Sequence, residues 1–533
     1  MNIGKKDIMT LKAKNKTMYC KAEIINSDYK TIAVLEGNIT SGNYSINCDS
    51  DIRRTCNITM NLNNNSFKFS EDILFNHYIK IYIGYYSLVS DEILYYSLGI
   101  YSFDKKSLKY DISTNEITFS LLDLCSLMDS NHYGTEYGAE TPCILATDPT
   151  TGKRYTDPDR IILKNIVTGL IKDFGISNYR IDDIGIHDKT DTDEYKWNEL
   201  PYDLEFSTND GLLDKLKQIK DLYGIYEFFF DTDGTFIFQE IPCTDDDMVT
   251  LTNDIVSDLV ISENTDINIF DVKNVIEVWG KSIDIDKDGY YTDASYVAEN
   301  SSDGIYKVIL NSYTENGYSD GMKLALKVNA GNSLSATYIS INNLPKRPVY
   351  DLTHGTPISS GKFNKDTTYV FRYSAAKQGF YYLSSFQVHA VAIMTNGEIF
   401  KDYKNESECK AYYSSKYNTD NIVFVIDKNN KYCIENIGEL IKSLKDNTYA
   451  NLETDSIAAN YAQAKLNQLC RRSTSLSLEM IIVPWLDVNQ KIQYKPSDSD
   501  EVKTYITKSI NGDLLSGTMS VSLIDFYATL DTE

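Results

Sequence analysis

Residues able to do chemistry are present in this chain but stand apart. The five histidines, His77, His132, His187, His354 and His389, lie more than four positions from one another. No two therefore share a helix turn, as a zinc-dependent hydrolase requires. Nine cysteines at 20, 48, 56, 125, 143, 243, 409, 433 and 470 include no Cys-x-x-Cys pair of the structural-zinc kind. Their odd number and wide spacing point to reduced, mostly buried thiols. No Gly-x-Ser-x-Gly elbow precedes a helix, and neither a phosphate-cradling loop nor a dinucleotide fingerprint occurs. Glu136 and Glu140, in a Gly-containing segment, come nearest to a glycosidase pair, yet acidic loops are ordinarily solvated. Asp284, Asp286, Asp288 and Gly289 open like a calcium loop, but the twelfth position is Ser295 instead of a bidentate glutamate. The expectation is no catalytic residue, no cofactor-binding residue, no cofactor, no metal site, and a chain that is not an enzyme.

Two adjacent pairs, Arg53-Arg54 and Arg471-Arg472, take four of the nine arginines. A guanidinium forks a carboxylate well, so each pair reads as a bridge to an acidic group across an interface. The other reading is an exposed charge pair at a strand start that discourages edge pairing.

The elements that would position these groups are mostly strands. Ala22–Ile25, Thr31–Glu36, Thr55–Leu62, Tyr78–Tyr85, Leu94–Phe103 and Glu116–Leu122 are β-branched or aromatic runs between Asn, Ser, Gly and Asp clusters. Asp157-Pro158 then starts a helix whose stripe runs from Ile161 to Phe174, and a second stripe follows from Leu212 to Leu222. Tyr226–Phe230 and Thr235–Gln239 flank a turn ending at Gly234, a hairpin. Ile255–Ile261 and Val272–Trp279 return to strand. From Tyr290 to Tyr417 the texture is rich in Ser, Asn, Gly and Tyr, with strands such as Ser335–Ile341, Thr368–Tyr373 and Ser385–Met394, the profile of an inserted β-sandwich. Strand Asn421–Ile426 and a helix near Glu435–Leu444 lead back. Near the end, Asp455–Cys470 has helical spacing, Ser473–Val483 alternates as a strand, and Pro484 ends it. Trp485–Gln493 would return as a shorter strand, with Lys503–Ser509 and Ser516–Tyr527 as the last two.

At 533 residues the chain exceeds one core, and about 150 residues per domain predicts three to four. No apolar run approaches the ~18 residues of a membrane span, and Met1–Lys16 is Lys-rich without the apolar stretch of a signal peptide. With 52 Lys and Arg against 76 Asp and Glu, the net charge of -24 repels phosphate backbones and argues against sequence-specific nucleic-acid binding. Forty-one tyrosines favour strands and large interfaces.

Several short motifs, taken in order, carry a resemblance. They are Leu35-Glu36-Gly37-Asn38-Ile39, Ser50 to Thr59, Leu98-Gly99-Ile100-Tyr101, Phe229 to Phe236, and the closing helix and strand with Pro484-Trp485-Leu486-Asp487-Val488-Asn489. Together they resemble the tail hub, or baseplate hub, proteins of tailed bacteriophages. The resemblance implies a mainly β fold with an α+β insertion: two tail-tube-like antiparallel β-barrels, a small α+β domain between them and an inserted β-sandwich. The expected boundaries are 1–130 for the first barrel, 131–245 for the α+β domain, 246–289 plus 418–533 for the second barrel, and 290–417 for the insertion. It further implies a structural virion component at the tail tip or baseplate, assembled in the bacterial host cytoplasm, with no stable membrane insertion. Its partners would be two further copies in a homotrimer, the tail tube or distal tail proteins on one side and a spike or tip protein on the other. DNA would pass through without sequence recognition. Related hubs often carry a wall-cutting domain at their C-terminus; the last expected strand here ends near Glu533, so that module is expected to be missing or supplied separately. The alternatives are a host cell-wall carbohydrate binder acting through the inserted sandwich, and a peptidoglycan hydrolase.

Overall fold

The structure, a computed structural model, describes residues 4–526 apart from 14–16, 36, 63–73, 75–76, 130–154, 186–197, 201–203, 205–210, 243, 245, 268–270, 283–288, 292–293, 298–303, 334–335, 352–355, 359, 366, 386, 429, 446–448, 450–451, 453 and 471–473. After a short helix, α1 (Lys5–Lys12), seven strands follow: β1 (Met18–Asn26), β2 (Thr31–Leu35), β3 (Gly37–Asn47), β4 (Arg54–Leu62), β5 (His77–Ser87), β6 (Glu92–Asp111) and β7 (Glu116–Asp123). Alternation decides which face is dry: Cys56, Ile58 and Met60 of β4 and Ile79, Ile81 and Ile83 of β5 all enter one core. β3 departs from the expectation, since its Gly, Asn and Ser residues read as turn formers.

A small module comes next, built of α2 (Pro158–Ile161), α3 (Leu163–Asp173), β8 (Tyr179–Ile181), α4 (Leu212–Asp221), β9 (Tyr226–Phe230) and β10 (Phe236–Glu240). Asp157 caps α2 by accepting from Asp159 N at 3.0 Å, with Pro158 at the first helical position. The expected single helix is broken at Ile162, which leaves the helical conformation to form a bridge with Glu199. Leu212, Leu213, Leu216 and Ile219 of α4 are buried, and the hairpin turn closes at Gly234 with a φ of 80°.

The segment Ile255–Ile261 differs from its expected strand. It is α5 (Asn253–Leu259), between β11 (Val249–Leu251) and β12 (Val260–Ile267). Thr252, Asn253 and Asp254 supply a helix start that the apolar run obscures. β13 (Val275–Ser282) was expected to open the second barrel and lies in a different sheet altogether.

The inserted strands are β14 (Ala294–Val297), β15 (Ile305–Leu310), β16 (Lys323–Lys327), β17 (Tyr338–Ile341), β18 (Arg347–Asp351), β19 (Thr368–Ser374) and β20 (Gly379–Ser385). They form one seven-stranded hydrogen-bonded sheet in the order β14-β15-β17-β18-β20-β19-β16 instead of two facing sheets. It curls around its own core: Tyr291, just before β14, bridges Leu324 of β16 at the opposite end.

The next strand, β21 (Gln387–Thr395), was expected inside the insertion but pairs with β13. Its side chains are buried on both faces, as suits a central strand covered on two sides. α6 (Glu406–Tyr417), β22 (Ile422–Ile426), α7 (Ile434–Ile437), β23 (Ile441–Leu444) and α8 (Asp455–Leu469) complete this layer, whose strand order is β22-β21-β13-β23. The expected helix near Glu435–Leu444 is thus a single turn followed by a strand, because Gly438, with φ 74°, ends it.

The last strands are β24 (Thr474–Ile481), β25 (Lys491–Tyr494), β26 (Lys503–Asp513) and β27 (Thr518–Asp525). The expected strand from Trp485 is shorter, since residues 483–489 form turns before β25. β26 pairs antiparallel with β3, Gly512 opposite Tyr44 and Ile510 opposite Ile46. That junction explains β3: bonded on both sides, it holds as a strand whatever its propensity. The strands from both ends of the chain therefore belong to one thirteen-stranded sheet, ordered β12-β24-β27-β26-β3-β4-β7-β6-β5-β1-β2, with β11 and β25 attached beside β26. They share one core, from Leu11 to Leu121 and from Leu251 to Leu523.

Candidate functional site

The fold draws Arg53 and Arg54 into a dense buried network. They are 5% and 3% exposed, and both lie inside the chain instead of at an interface or a free edge. β4 begins beneath the module hairpin and the Pro484–Asn489 corner, so its first residues face two polypeptide segments instead of solvent. Arg53 donates from Nη1 to Glu227 Oε2 at 2.8 Å, from Nη2 to the Val488 carbonyl at 2.7 Å, and from Nε to Asp487 Oδ1 at 3.2 Å. Arg54 donates to Asp487 Oδ2 and to the Phe230 carbonyl. The Arg53 guanidinium also lies 3.9 Å from the centre of the Phe229 ring.

The partners are themselves held. Glu227 receives Asn489 Nδ2 at 2.7 Å and Gln239 Nε2 at 2.9 Å. Asp487 Oδ1 also accepts from Val488 N at 2.7 Å, and Thr507 Oγ1 donates to the Asp487 carbonyl at 2.6 Å. Asn489 takes a left-handed conformation, φ 56°, that an asparagine tolerates better than most residues. Asp123, at the end of β7, accepts from Arg54 N at 2.9 Å and caps the turn that follows through Cys125 N at 2.8 Å. Burial pushes the Asp123 carboxyl above its ordinary range, against the lowering effect of those N–H groups and of Arg54. For Arg53 burial works against the charge, but Asp487 and Glu227 outweigh it and the pKa is raised. Among the described residues, buried Arg54 Nε and Asn489 Oδ1 meet no hydrogen-bond partner.

Chemically this is a clamp. Guanidinium groups do not give up protons, and their forks are filled by carboxylates of the same chain. Three regions distant in sequence meet here: β4 of the first strand set, β9 of the module, and the corner leading into the last strands. Sequence reasoning found Arg53 and Arg54 and quoted the corner, but missed Glu227, Asp123 and the acidic role of Asp487. The available signal was an aspartate inside the otherwise buried run Leu486 to Asn489.

A second polar group sits where the insertion meets the four-stranded sheet. Asp455, at the start of α8, accepts from Tyr382 OH and from His389 N at 3.3 Å. His389 Nε2 lies 3.1 Å from Glu277 Oε1, and its ring stacks on Trp279 at 3.6 Å. Burial lowers the His389 pKa below its ordinary 6.5, outweighing the favourable Glu277 charge. The folded chain thus prefers neutral imidazole, whereas the unfolded chain protonates near 6.5. This stability is present above pH 6.5 and is lost as pH falls from there toward the lower folded value. A ring-proton titration by NMR should give a midpoint under 6.5, and His389→Gln should flatten that part of the stability profile; a midpoint above 6.5 contradicts it.

Of the other expected features, Glu136, Glu140, the Asp284–Asp288 turn, Arg471, Arg472, His132, His187 and His354 lie outside the described residues. Among the described residues no three His, Cys, Asp or Glu side chains group as metal ligands, and no helix is long and apolar enough to cross a membrane.

Residues 429–530 match a family model described as a domain of unknown function, DUF5048, which spans α7 to β27. No curated protein matches the sequence. Among solved structures, the chain is similar to the 43 kDa tail protein of prophage MuSo2 from Shewanella oneidensis, at 10% identity and a TM-score of 0.40, covering 95% of this chain and 98% of that one. A tail protein from Neisseria meningitidis is similar at 7% identity and 0.41, over 95% and 96%. The prophage tail protein gp18 from Listeria monocytogenes follows at 9% identity and 0.39, over 95% and 94%. The likeness to phage tail proteins runs along nearly the whole chain, and at these TM-scores it assigns no residue a role.

Proposed function

We propose that this chain is a structural hub of a phage tail or baseplate. Three copies close a ring that joins a six-fold tail tube to a three-fold spike or tip and forms part of the DNA conduit. The observation that carries this reading is the thirteen-stranded sheet, which fuses strand sets from both ends of the chain and leaves its two outermost strands, β2 and β12, without a further partner among the described residues. Ile32 and Val34 on β2 are 55% and 45% exposed, and Ile261 at the start of β12 is 58% exposed. Unpaired edges are templates for another strand. Because the two edges differ, copies would meet head to tail, the kind of contact that closes a ring when its rotation fits.

In this reading β1–β7 form one tube-like unit, and β12 with β24–β27 form the other. Three chains then present six units around the circle, enough to face a six-fold tube on one side and a three-fold tip on the other. The order of the tail-hub motifs supports placement in a virion. A net charge of -24 per chain supports a wall that repels passing DNA. The clamp of Arg53 and Arg54 keeps the α+β module in fixed register with both units, as a rigid conduit needs.

Lysine on an edge strand blocks pairing. Val34→Lys and Ile261→Lys should each convert an assembly of three chains into single chains of 60.6 kDa, measured by chromatography with light scattering. Leu88→Lys, at an exposed turn, should leave the assembly intact. Edge variants that keep the native mass of a trimer would overturn the head-to-tail arrangement.

A further inference from the structure

A cleft of about 900 Å³ lies between the inserted sheet, the β13/β21 edge and α6, away from the Arg53 clamp. Its size falls within the range of pockets that enclose small ligands, roughly 300–1,000 Å³. Its lining is unusual for such a pocket, because among the described residues the one large apolar surface is an indole. Trp279 lines it, and the stack on His389, 3.6 Å between centroids and 14° between planes, sets the ring orientation in advance. Around the indole stand amides and hydroxyls, among them Asn364, Gln387, Asn418, Ser407 and Ser414.

The charged groups of the cleft are largely engaged with the protein. Lys362 Nζ donates to Asn421 Oδ1 at 2.7 Å and lies 5.3 Å from the Tyr382 ring. Asp420 Oδ2 accepts from Asn364 Nδ2 at 2.6 Å. Lys410 feels the neighbouring Lys362 charge as well as Glu406 and Asp420, which act as counter-charges, and burial with Lys362 holds its pKa below the ordinary value. A ligand held by phosphate or sulfate would meet the two lysines Lys362 and Lys410 with Asp420 and Glu406 set against them, on a chain that carries a charge of -24.

One pre-set aromatic face ringed by neutral donors and acceptors matches a molecule with a C–H-rich face and hydroxyls around its rim. We propose that this cleft binds a neutral oligosaccharide, with one sugar ring stacked on Trp279 and its hydroxyls bonded to the surrounding amide and hydroxyl groups. The site is open to solvent and formed from fixed elements, so little ordering is required on binding. It stands independently of the ring arrangement proposed above.

The test is titration of the full-length chain with chitotriose, maltotriose and cellotriose, read by calorimetry. At least one should bind, and Trp279→Ala should weaken it by about tenfold or more, with partial recovery in Trp279→Tyr. Ala411→Trp, on the exposed side of α6 facing the cleft, should abolish binding by filling it and leave the urea midpoint unchanged. This second variant serves where Trp279→Ala fails to fold. The proposal is overturned if none of the three sugars binds at millimolar concentration, or if binding survives Ala411→Trp. It is equally overturned if the cleft takes only adenosine triphosphate or an oligothymidylate, with Lys410→Ala removing that binding.

Discussion

Asp487→Ala is expected to destabilise the chain by about 3–5 kcal/mol, the usual cost of removing one partner from a buried ion pair. Asp487 serves both arginines at once, through Oδ1 to Arg53 and Oδ2 to Arg54. Without it, Arg53 retains Glu227, Arg54 retains the Phe230 carbonyl and the nearby Asp123 charge, and much of the desolvation of charges that cannot neutralise is left uncompensated. Asp487→Asn should lose less, because one oxygen can still accept, but its amide nitrogen would face a guanidinium. The comparison within the same fold is Lys80 and Asp233, 3.0 Å apart with the aspartate side chain 55% exposed. Asp233→Ala should cost under about 1 kcal/mol, as exposed pairs do. Urea unfolding of the three variants followed by fluorescence measures all of these. An Asp487→Ala loss no greater than that of Asp233→Ala would remove the clamp from the account.

Gly512→Val should be the next most damaging change, at about 3 kcal/mol, the upper end for inserting atoms into a packed core. Gly512 lies opposite Tyr44 at the junction of β26 with β3, and a Cβ there would overlap the Cε1–Cζ edge of the Tyr44 ring. Tyr44 is buried and cannot swing to solvent, so the ring or the strand must shift. The strain falls on the pairing that joins the two ends of the chain. Adding Tyr44→Ala should recover part of the loss, because the two residues occupy the same space and their effects are not additive. Limited proteolysis gives a second readout: Gly512→Val should expose β3, and the double variant should protect it again. Full additivity of the two substitutions would contradict this packing.

What could be read in advance divides by the range of the interactions involved. The stripe of α4, the hairpin at Gly234, and the helix Asp455–Leu469 followed by β24 are local patterns of period and turn chemistry, and they stand where expected. β3 was missed because Gly37, Gly42, Asn43 and Ser45 signal turns, and pairing with β4 on one side and with the far end of the chain, β26, on the other makes the segment a strand. β21 was placed in the wrong sheet although its run Val388 to Met394 is apolar at nearly every position. Such a run marks a strand covered on both faces, which a half-solvated sandwich strand is not. The clamp was half legible: an arginine pair is visible in any sequence, but its burial depends on Glu227 and Asp487, which lie 174 and 434 positions from Arg53. Charge in a sequence carries the prior of exposure, and only tertiary pairing reverses it.

The central claim is that one chain's β2 edge meets the next chain's β12 edge and that three such contacts close a circle. An averaged electron-microscopy reconstruction of the purified assembly tests it most directly. The account predicts a three-fold ring of three 60.6 kDa chains, with continuous strand density running from β2 of one copy into β12 of its neighbour. A particle in which both of those strands face solvent, or one whose copies meet through the inserted seven-stranded sheet, would contradict it.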